Sequence, residues 1–460
     1  MASTPMDLDP TDASSPANGT PSTSLNITRT LGSSLPSTSV VPDVIAHFRP
    51  TKVPSLIRPS FHHCDLSFAA ASVPTAASEL PGQVSTAHPK PVARLRKQEA
   101  DKAQRGQEEK TRVDSCSDPS QLFKRNDTKD NRPQPHVLSL DFDDPGELLM
   151  TSESDETIQI YKVRDGRHDK QLLSKKYGVK LAKFTRNSSS IIYASTKQND
   201  AIRYLTTHDN AFIRYFEGHE AAVTCLAMHP GNDDFISCGK DNTVRLWNAG
   251  TKNATGILYL NTPYLAAYDP SGQIFAVASP SSGQVLLYDH RNFDKAPFST
   301  FDVLEAGGAA DANFVLKGWT KLEFANDGRT ILVGTKGSGH FLLDSFNGSL
   351  KAYLRKPEHG GTSRLAAGEE FTMNGGWSGV NVEGSGDCCF TQDGRYVIGG
   401  TKKGVVVWDT LGQSDENKVM DPLHTIEDPR EAAVVCFNPR FNFFATADQD
   451  VVFWVPDPHA

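Results

Sequence analysis

Apolar and polar residues alternate in short runs along the second half of the chain. Between Phe216 and Trp247 the sequence reads FEGHEAAVTCLAMHPGNDDFISCGKDNTVRLW, in which a His-Pro-Gly turn and a Lys-Asp-Asn turn separate three alternating runs. Alternation with a period of two is typical of strands that bury one face. The segment therefore predicts three consecutive antiparallel strands joined by tight turns.

The same unit recurs from Val137 onward. Each copy begins with an alternating strand that ends in a large apolar residue and is followed by a polar turn, and these end residues are spaced 42, 44, 40, 56, 66 and 47 positions apart. A period near 40–45 residues is typical of four-stranded blades, so seven copies predict an all-β, seven-bladed WD40 β-propeller over residues 136–460. The end residues are Phe142, Phe184, Met228, Tyr268, Phe324, Phe390 and Phe437.

The two long spacings contain Gly-rich insertions, Glu305–Gly318 and Pro357–Gly386, and both are predicted to be loops. The last unit, Val434–Pro456, has only three strands, which would leave an open sheet edge. The segment 43–60, which contains FRPTKV at 48–53, is predicted to supply the missing outer strand and to close the ring.

Two further segments do not fit the blade pattern. Residues 1–42 are rich in Ser, Thr, Pro and Ala and predict a disordered tail, because such a stretch buries too little apolar surface to offset its ordering entropy. Residues 61–135 combine a polar stretch with a mixed charge run and predict a disordered insertion. A second interpretation is a nuclear-import or nucleic-acid-binding tail, although four acidic residues interrupt the eight basic residues of the charge run. A third is retained intron sequence, which transcript sequencing across Thr51 to His136 would distinguish.

Composition and charge disfavour a nucleic-acid-binding protein, a disulfide-stabilised protein and a membrane-spanning protein. The chain has 460 residues and a net charge of −8, of which residues 1–136 contribute +2 (16 basic, 14 acidic) and the remainder −10 (31 basic, 41 acidic). An acidic propeller disfavours broad binding to phosphate backbones, so no direct sequence-specific nucleic acid binding is expected. Seven cysteines at irregular spacing indicate a reducing compartment, and no apolar run is long enough to predict a membrane span.

Four polar residues of the best-formed unit occupy the positions at which WD blades build a buried hydrogen-bond chain. They are His219, Ser237, Asp241 and Trp247. A Ser, a His and an Asp also make up hydrolase triads, but here all three are predicted to lie inside a blade, where the role is structural. Because the chain also has no G-x-S-x-G, Walker or H-E-x-x-H motif, we predict no catalytic, cofactor or metal site and a protein that is not an enzyme.

Runs of Lys, Arg and Tyr exceed what blades require and suggest partner binding, because Arg and Tyr are enriched at interface hot spots. The alternative is that half of these residues face the core and the rest are solvated. A separate segment, Tyr288-Asp289-His290-Arg291, resembles the W-D-x-R box that docks propellers on cullin ligase adaptors, with Tyr in place of Trp, although Asp and Arg are also common residues at strand ends. The possible partner-binding residues are Lys175, Lys176, Tyr177, Arg203, Tyr204, His208 and Arg291.

Several long runs resemble one family of WD-repeat proteins. SKKYGVKLAKF at 174–184, DAIRYLTTHDNAFIRYFEGH at 200–219, YDHRNFDKAPFSTF at 288–301 and FNPRFNFFATADQDVVFWVPD at 437–457 are similar to the Swd-two family, called WDR-eighty-two in animals. The resemblance extends over nearly all of residues 136–457, and FRPTKV resembles the family's amino-terminal strand. The insertion at 61–135 departs from the family pattern.

The resemblance implies a non-catalytic role in the nucleus. Members of this family are subunits of the Set-one/COMPASS complex, which methylates lysine four of histone H3. In fungi they also belong to the cleavage and polyadenylation factor, which links them to mRNA 3′-end processing and transcription termination, and animal members contact the phosphorylated tail of RNA polymerase II. The expected partners are therefore proteins, and the alternative function is a substrate receptor of a cullin-type ubiquitin ligase.

Overall fold

The computed structural model describes residues 48–50, 134–261, 263–310, 318–357, 361–369 and 382–456. These ranges contain 29 strands and one helix, and the strands form seven sheets. The innermost strand of each sheet packs against the innermost strand of the next sheet, and the seventh sheet packs against the first. The sheets are therefore the blades of a closed ring, and the prediction of a seven-bladed β-propeller is confirmed.

Within each of the first four blades, the strands follow one another from the inside of the ring to the outside, as strands a, b, c and d. Neighbouring strands are antiparallel. Blade 1 contains β2 (Val137–Phe142), β3 (Leu148–Glu153), β4 (Thr157–Lys162) and β5 (Arg167–Leu173); blade 2 contains β6 (Lys180–Phe184), β7 (Ser190–Ala194), β8 (Ile202–Thr206) and β9 (Phe212–Phe216); blade 3 contains β10 (Val223–Met228), β11 (Asp234–Gly239), β12 (Thr243–Asn248) and β13 (Gly256–Tyr259); and blade 4 contains β14 (Leu265–Tyr268), β15 (Ile274–Ser279), β16 (Gln284–Asp289) and β17 (Ser299–Asp302).

The remaining blades repeat this order with two variations. Blade 5 gains a fifth strand from the following blade, and blade 7 takes its outer strand from the beginning of the chain. Blade 5 contains β18 (Trp319–Phe324), β19 (Thr330–Thr335), β20 (Gly339–Asp344), β21 (Leu350–Arg355) and the parallel addition β25 (Val419–Met420); blade 6 contains β22 (Cys388–Phe390), β23 (Tyr396–Thr401), β24 (Gly404–Asp409) and β26 (His424–Glu427); and blade 7 contains β27 (Val434–Phe437), β28 (Phe444–Ala447), β29 (Val451–Pro456) and β1 (Phe48–Pro50).

The ring is closed by an antiparallel pair between β1 and β29. Phe48 lies opposite Pro456, and Pro50 lies opposite Trp454. The outer edge of β29 is therefore paired, as the three-stranded last unit required. The predicted tail (1–42), the rest of the 43–60 segment and all but the last two residues of the predicted insertion lie outside the described residues.

Each of the seven end-of-strand residues singled out in the sequence is the last residue of an inner strand. Phe184, for example, ends β6 and is buried in a cluster that joins blades 1 and 2. Similar clusters lie between other neighbouring blades, such as the one that contains Phe216, Phe235 and Trp247 between blades 2 and 3. Burying a side chain of this kind contributes about 1.5–3 kcal/mol, so apolar packing between blades supplies much of the stability.

Because neighbouring strands are antiparallel, the a–b and c–d connections lie on one face of the ring, which we call the turn face. The b–c and d–a connections lie on the other, which we call the cap face. On the turn face, hydrogen bonds link turns of adjacent blades: the Asn326 Nδ2 donates to the Gln392 carbonyl (2.7 Å), and the Gln392 Nε2 donates to the Pro439 carbonyl (2.7 Å). The Asn438 Nδ2 then donates to the Gly146 carbonyl (2.9 Å), which connects blade 7 to blade 1.

The prediction that Glu305–Gly318 is wholly a loop is wrong, because Val303–Ala310 forms helix α1. The Asp302 carboxylate caps its first turn by accepting a hydrogen bond from the Glu305 N–H (3.0 Å), and Val303 is fully buried. These tertiary contacts outweigh the low helix propensity of its two glycines. Within the described residues, no helix is long and apolar enough to cross a membrane.

Candidate functional site

The structure brings the four polar residues of blade 3 into one hydrogen-bond chain. The Trp247 Nε1–H donates to the Ser237 Oγ (2.8 Å), and the Ser237 Oγ lies 2.6 Å from the His219 Nε2. The His219 Nδ1 lies 3.0 Å from the Asp241 carboxylate, which also accepts a bond from the Thr243 hydroxyl (2.8 Å). Since the Asp241 carboxylate can only accept, His219 carries its proton on Nδ1, and its Nε2 accepts a hydrogen bond from the Ser237 O–H.

This order of atoms matches a hydrolase triad, but the environment of the Ser237 hydroxyl excludes hydrolysis. Ser237 is fully buried and already accepts the Trp247 indole N–H, so no substrate can reach its oxygen. Burial lowers the pKa of His219, against the opposing effect of Asp241, and thereby favours the neutral ring. A Cβ at Gly239 would lie 2.5 Å from both the His219 ring and the Asp241 carboxylate, so the packing here leaves room only for glycine.

The predicted partner-binding residues divide between the two faces of the ring. Lys175, Lys176 and Tyr177 lie on the connection between β5 and β6, on the cap face, and the two lysines are exposed. His208 follows β8 and Arg291 follows β16, and both are exposed on the turn face. The structure therefore does not bring these residues into one site.

Arg203 and Tyr204 lie within β8 and are less accessible. Arg203 is only 4% exposed, and it donates from Nε to the Ser195 hydroxyl (2.8 Å) and from Nη2 to the Asn199 side chain (3.1 Å). Tyr204 is half-buried and stacks on Phe216. A direct contact between a partner and the Arg203 guanidinium is therefore excluded in this conformation.

Arg291 belongs to the segment that resembles an adaptor-docking box. The Asp289 carboxylate accepts hydrogen bonds from the Arg291 N–H (2.8 Å) and from the Asn292 side chain (2.8 Å), which fix the turn. Hydrogen bonds, with the Asn292 side chain first, also lower the pKa of Asp289. The neighbouring His290 lies 3.4 Å from the Asp234 carboxylate, so the turn is held to blade 3 while the Arg291 side chain stays in solvent.

Four ionisable side chains that the sequence analysis missed line the central channel. The Lys183 Nζ lies 2.7 Å from the Asp141 carboxylate, and the Lys321 Nζ lies 3.7 Å from the Glu323 carboxylate. They surround a cavity of about 350 Å³. Asp141, Lys183 and Glu323 each precede an end-of-strand residue by one position, so strand alternation was the signal that could have found them.

The channel is covered on the cap face by the connection between blades 5 and 6. We call residues 361–369 and 382–386 of this connection the cap segment. Its Ser385 N–H donates to the Leu138 carbonyl (3.1 Å), and its Ala367 N–H donates to the Trp319 carbonyl (3.2 Å). Glu383 pairs with Lys180 of blade 2 (3.0 Å). The cap segment thus contacts the inner strands of blades 1, 2 and 5, and it lines the end of the cavity that opens toward the cap face.

A second buried polar cluster lies between blades 5 and 6. The Asp387 carboxylate accepts hydrogen bonds from the Thr320 hydroxyl (2.6 Å) and the Lys356 ammonium (3.2 Å), and all three residues are buried. Burial raises the pKa of Asp387, but Lys356 and the other neighbours more than reverse this and leave the pKa below its usual value. Burial also lowers the pKa of the adjacent His340 to about 3.

His340, Asp387 and Cys388 lie close enough together to hold a metal ion, and their donor atoms are all within 4.8 Å of one another. Their hydrogen bonds do not fit one. The His340 Nδ1 accepts the Thr335 N–H (3.1 Å), so the ring proton must sit on Nε2, the nitrogen that would have to bind the metal. The Lys356 ammonium already occupies the Asp387 carboxylate. The cluster is therefore a structural one.

Comparison with known proteins gives a consistent assignment. The "WD domain, G-beta repeat" family model matches residues 210–248, which span β9 to β12. The chain is 35% identical over 325 residues to the COMPASS component SWD2 of Saccharomyces cerevisiae, with 70% of this chain and 91% of the relative covered. It is 34% identical to WD repeat-containing protein 82 of Drosophila melanogaster (73% and 93% covered) and 31% identical to the Set1 complex component swd2 of Schizosaccharomyces pombe (69% and 92% covered).

The chain belongs to the SWD2/WD repeat-containing protein 82 family. The family resemblance predicted from the sequence is thereby confirmed. The WD-domain match coincides with the one blade in which His219, Ser237, Asp241 and Trp247 form a complete chain among the described residues. In this member of the SWD2 family, blade 3 carries the full polar chain, and the other blades depend on other contacts among the described residues.

Proposed function

We propose that the protein is a non-catalytic scaffold subunit of a nuclear COMPASS-type complex that methylates lysine four of histone H3. The observation that carries the proposal is the 35% identity to COMPASS component SWD2 across 91% of that protein. A second relative, at 31% identity, bears the name Set1 complex component swd2. A shared fold alone would not imply a function, but identity at this level over 91% of the relative's length supports a shared docking role as well.

The chemistry of the described residues supports a binding role over an enzymatic one. The Ser237 hydroxyl is fully buried, and the His340 ring is fixed in a tautomer that opposes metal binding. The central cavity is covered on one face by the cap segment. What the propeller offers to solvent is a rigid ring with loops on two faces, which is the usual form of an interaction platform.

Affinity purification of the tagged full-length chain from nuclei tests this proposal. We expect a Set1-type methyltransferase and other COMPASS subunits to be recovered, and we expect depletion of the protein to lower methylation of histone H3 lysine four. A matched purification of an unrelated tagged WD propeller controls for nonspecific capture. Recovery of no COMPASS subunit would contradict the proposal.

We further propose a link to mRNA 3′-end processing, through the cleavage and polyadenylation factor and the tail of RNA polymerase II. The family resemblance of the long runs at 174–184 and 437–457 motivates it. The same purification, analysed for polyadenylation factors and polymerase subunits, provides the test. Transcript mapping after depletion should show extended 3′ ends, and unchanged 3′ ends would remove this part of the proposal.

The alternative function is a substrate receptor of a cullin-type ubiquitin ligase. It is favoured by the exposed Arg291 on a turn fixed by Asp289, in a segment that resembles an adaptor-docking box. Co-purification of a cullin adaptor that is lost in Arg291→Ala would support it. The matched control is Arg329→Ala, which removes an arginine from the neighbouring blade on the same face, and an adaptor lost equally from both variants would count against a specific box.

A further inference from the structure

At the junction between blades 1 and 2, cations lie next to aromatic rings, from the β5–β6 connection on the cap face along the outer strand β9; the Phe212 ring is exposed, and the Tyr177 and Tyr215 rings are half-buried. The connection from β5 to β6 is fixed there, because the Tyr177 carbonyl accepts the Thr196 N–H (3.0 Å) and the Ser174 hydroxyl contacts the Tyr193 hydroxyl (2.9 Å). We call the region the cation–aromatic patch, and it consists of Lys175, Lys176, Tyr177, Arg203, Phe212 and Tyr215.

Two cations share one ring in this patch. The Arg203 Cζ lies 3.4 Å from the centroid of the Tyr177 ring, and the Lys176 Nζ lies 5.0 Å from the same centroid. The Tyr215 and Phe212 rings stand 4.9 Å and 5.8 Å from the Arg203 Cζ. The rings thus cover the guanidinium, and Arg203 contributes to the patch through its charge rather than through direct access.

The positive charge of the patch is not balanced by carboxylates. Among the described residues, Lys175, Lys176 and Arg203 form no ion pair within 4.0 Å, and the described hydrogen bonds of Arg203 go to the neutral side chains of Ser195 and Asn199. The chain from residue 137 onward carries a net charge of −10. A partly buried positive charge in such a domain creates a strong local potential that attracts carboxylates from outside.

Exposed large apolar side chains belong to this patch or lie within two positions of it in the chain. Phe212 and Ile213 of the outer strand β9 are 38% and 47% exposed, and Leu173, two positions before Lys175, is 55% exposed. A single-stranded RNA could place its phosphates on the cations and stack a base on Phe212, but it would not use the aliphatic Ile213 and Leu173, and the acidic charge of the rest of the propeller would repel it. The combination fits a peptide that carries both carboxylates and apolar side chains.

We propose that the cation–aromatic patch docks an acidic segment of a protein partner. Its Asp or Glu side chains lie against Lys175 and Lys176, and an apolar side chain next to them packs on Phe212 and Ile213. The proposal deepens the scaffold role and rests on it, because it names the chemical class of one docking partner. Binding of nucleic acid or of phosphorylated peptides in place of acidic peptides is a result that the test below would detect.

Peptide display on the full-length chain tests the proposal, followed by affinity measurements with the selected peptides by fluorescence anisotropy. We expect the selected peptides to carry Asp or Glu next to Leu or Phe, and their affinity to fall as salt is raised. The double variant Lys175→Glu/Lys176→Glu should weaken binding by about tenfold or more, since like charges then face each other.

The matched control is Lys402→Glu/Lys403→Glu. These two lysines are also adjacent, exposed and on the cap face, in the b–c connection of blade 6, and no described aromatic ring contacts either of them. The control variant should bind the peptides like the unmodified chain. Three outcomes would each overturn the proposal. These are an equal loss of peptide affinity in both variants, binding of phosphorylated peptides or RNA alone, and selection of peptides that lack acidic residues.

A second readout separates this proposal from the scaffold function. If the unmodified chain recovers COMPASS subunits and Lys175→Glu/Lys176→Glu recovers all of them equally while binding no less peptide, the patch proposal fails and the scaffold function stands. If the unmodified chain recovers no COMPASS subunit, the scaffold function fails. Thermal melts of both double variants should match the unmodified chain, because all four lysines are exposed.

Discussion

The hydrogen-bond chain of blade 3 and the polar cluster between blades 5 and 6 both bury polar groups, which must find hydrogen-bond partners inside the protein, but they do so in different ways. In blade 3 the hydrogen-bond chain runs from His219 to Trp247, within 29 consecutive residues. Its imidazole nitrogens, serine hydroxyl, carboxylate and indole N–H all have partners at 3.2 Å or less. A short segment with fixed turns therefore carries the whole network.

The cluster between blades 5 and 6 draws on residues that are far apart in the chain. Thr320 and Asp387 are separated by 67 positions, and Lys356 lies between them. The His340 Nε2 is buried without a hydrogen-bond partner among the described residues. The comparison teaches that a complete local network can be recognised from spacing, whereas a network assembled across two blades leaves no spacing pattern and is less fully paired.

The largest expected effect breaks the network of blade 3. Trp247→Ala should lower the free energy of unfolding by about 3–5 kcal/mol, because it opens a cavity in the core between blades 2 and 3 and removes the donor to Ser237. Urea denaturation followed by circular dichroism measures it. Trp247→Phe keeps most of the ring volume and should cost clearly less; equal costs for the two variants would contradict the cavity argument.

A somewhat smaller effect is expected in the other cluster. Lys356→Met should cost about 3 kcal/mol, because it leaves the Asp387 charge buried with the Thr320 hydroxyl as its remaining close donor. Adding Asp387→Leu should restore a large part of this loss, since two apolar groups replace the pair. A double-mutant cycle measures the interaction: the free energy of unfolding is determined by chemical denaturation for the unmodified chain, the two single variants and the double variant. Strictly additive losses of stability would show that Lys356 and Asp387 do not interact.

The smallest expected effect is the contribution of His340 to the pH dependence of stability. The pKa of His340 is about 3 in the folded state because the ring is buried, whereas an unfolded histidine titrates near 6.5. Below pH 6.5 the unfolded chain takes up a proton that the folded chain refuses, so His340 should reduce stability as pH falls, by up to about 1.4 kcal/mol per pH unit. The stability that it contributes is therefore fully present above pH 6.5.

The measurement is the difference between the stability profiles of the unmodified chain and His340→Gln from pH 7 to pH 5. Burial also lowers the pKa of His168, His219 and His229, and this common background cancels in the difference. The variant should lose less stability over this interval. Parallel profiles would mean that His340 is protonated in the folded state and would remove the argument for its tautomer.

Much of the fold could be predicted from local pattern. Strand alternation and turn residues located the ends of all seven inner strands, because a large apolar residue directly before a turn packs at least partly between blades; Phe142 and Phe184, for example, are buried. The helix Val303–Ala310 could not be predicted in this way. Its two glycines suggest a loop, and its stability comes from the Asp302 cap and the burial of Val303 against blade 4.

The predicted partner-binding residues show the same division. The exposed position of Lys175 and Lys176 agrees with their polar sequence context, but the burial of Arg203 does not. The Arg203 side chain is covered by two tyrosine rings. Tyr177 lies in the connection between blades 1 and 2, and Tyr215 lies opposite Arg203 on the neighbouring strand β9. No sequence spacing indicates that a loop from blade 1 folds over a strand of blade 2.

The sequence by itself determined the number of blades, the ends of their inner strands and the polar chain of blade 3, because each depends on contacts between residues close together in the chain. The tertiary structure decided the ion pair of Asp141 with Lys183 in the channel, the cap segment across its mouth and the cluster around Asp387. The physical reason is that these groups gain their charge partners and lose their solvent only when separate blades meet, which no local pattern of apolar and polar residues encodes.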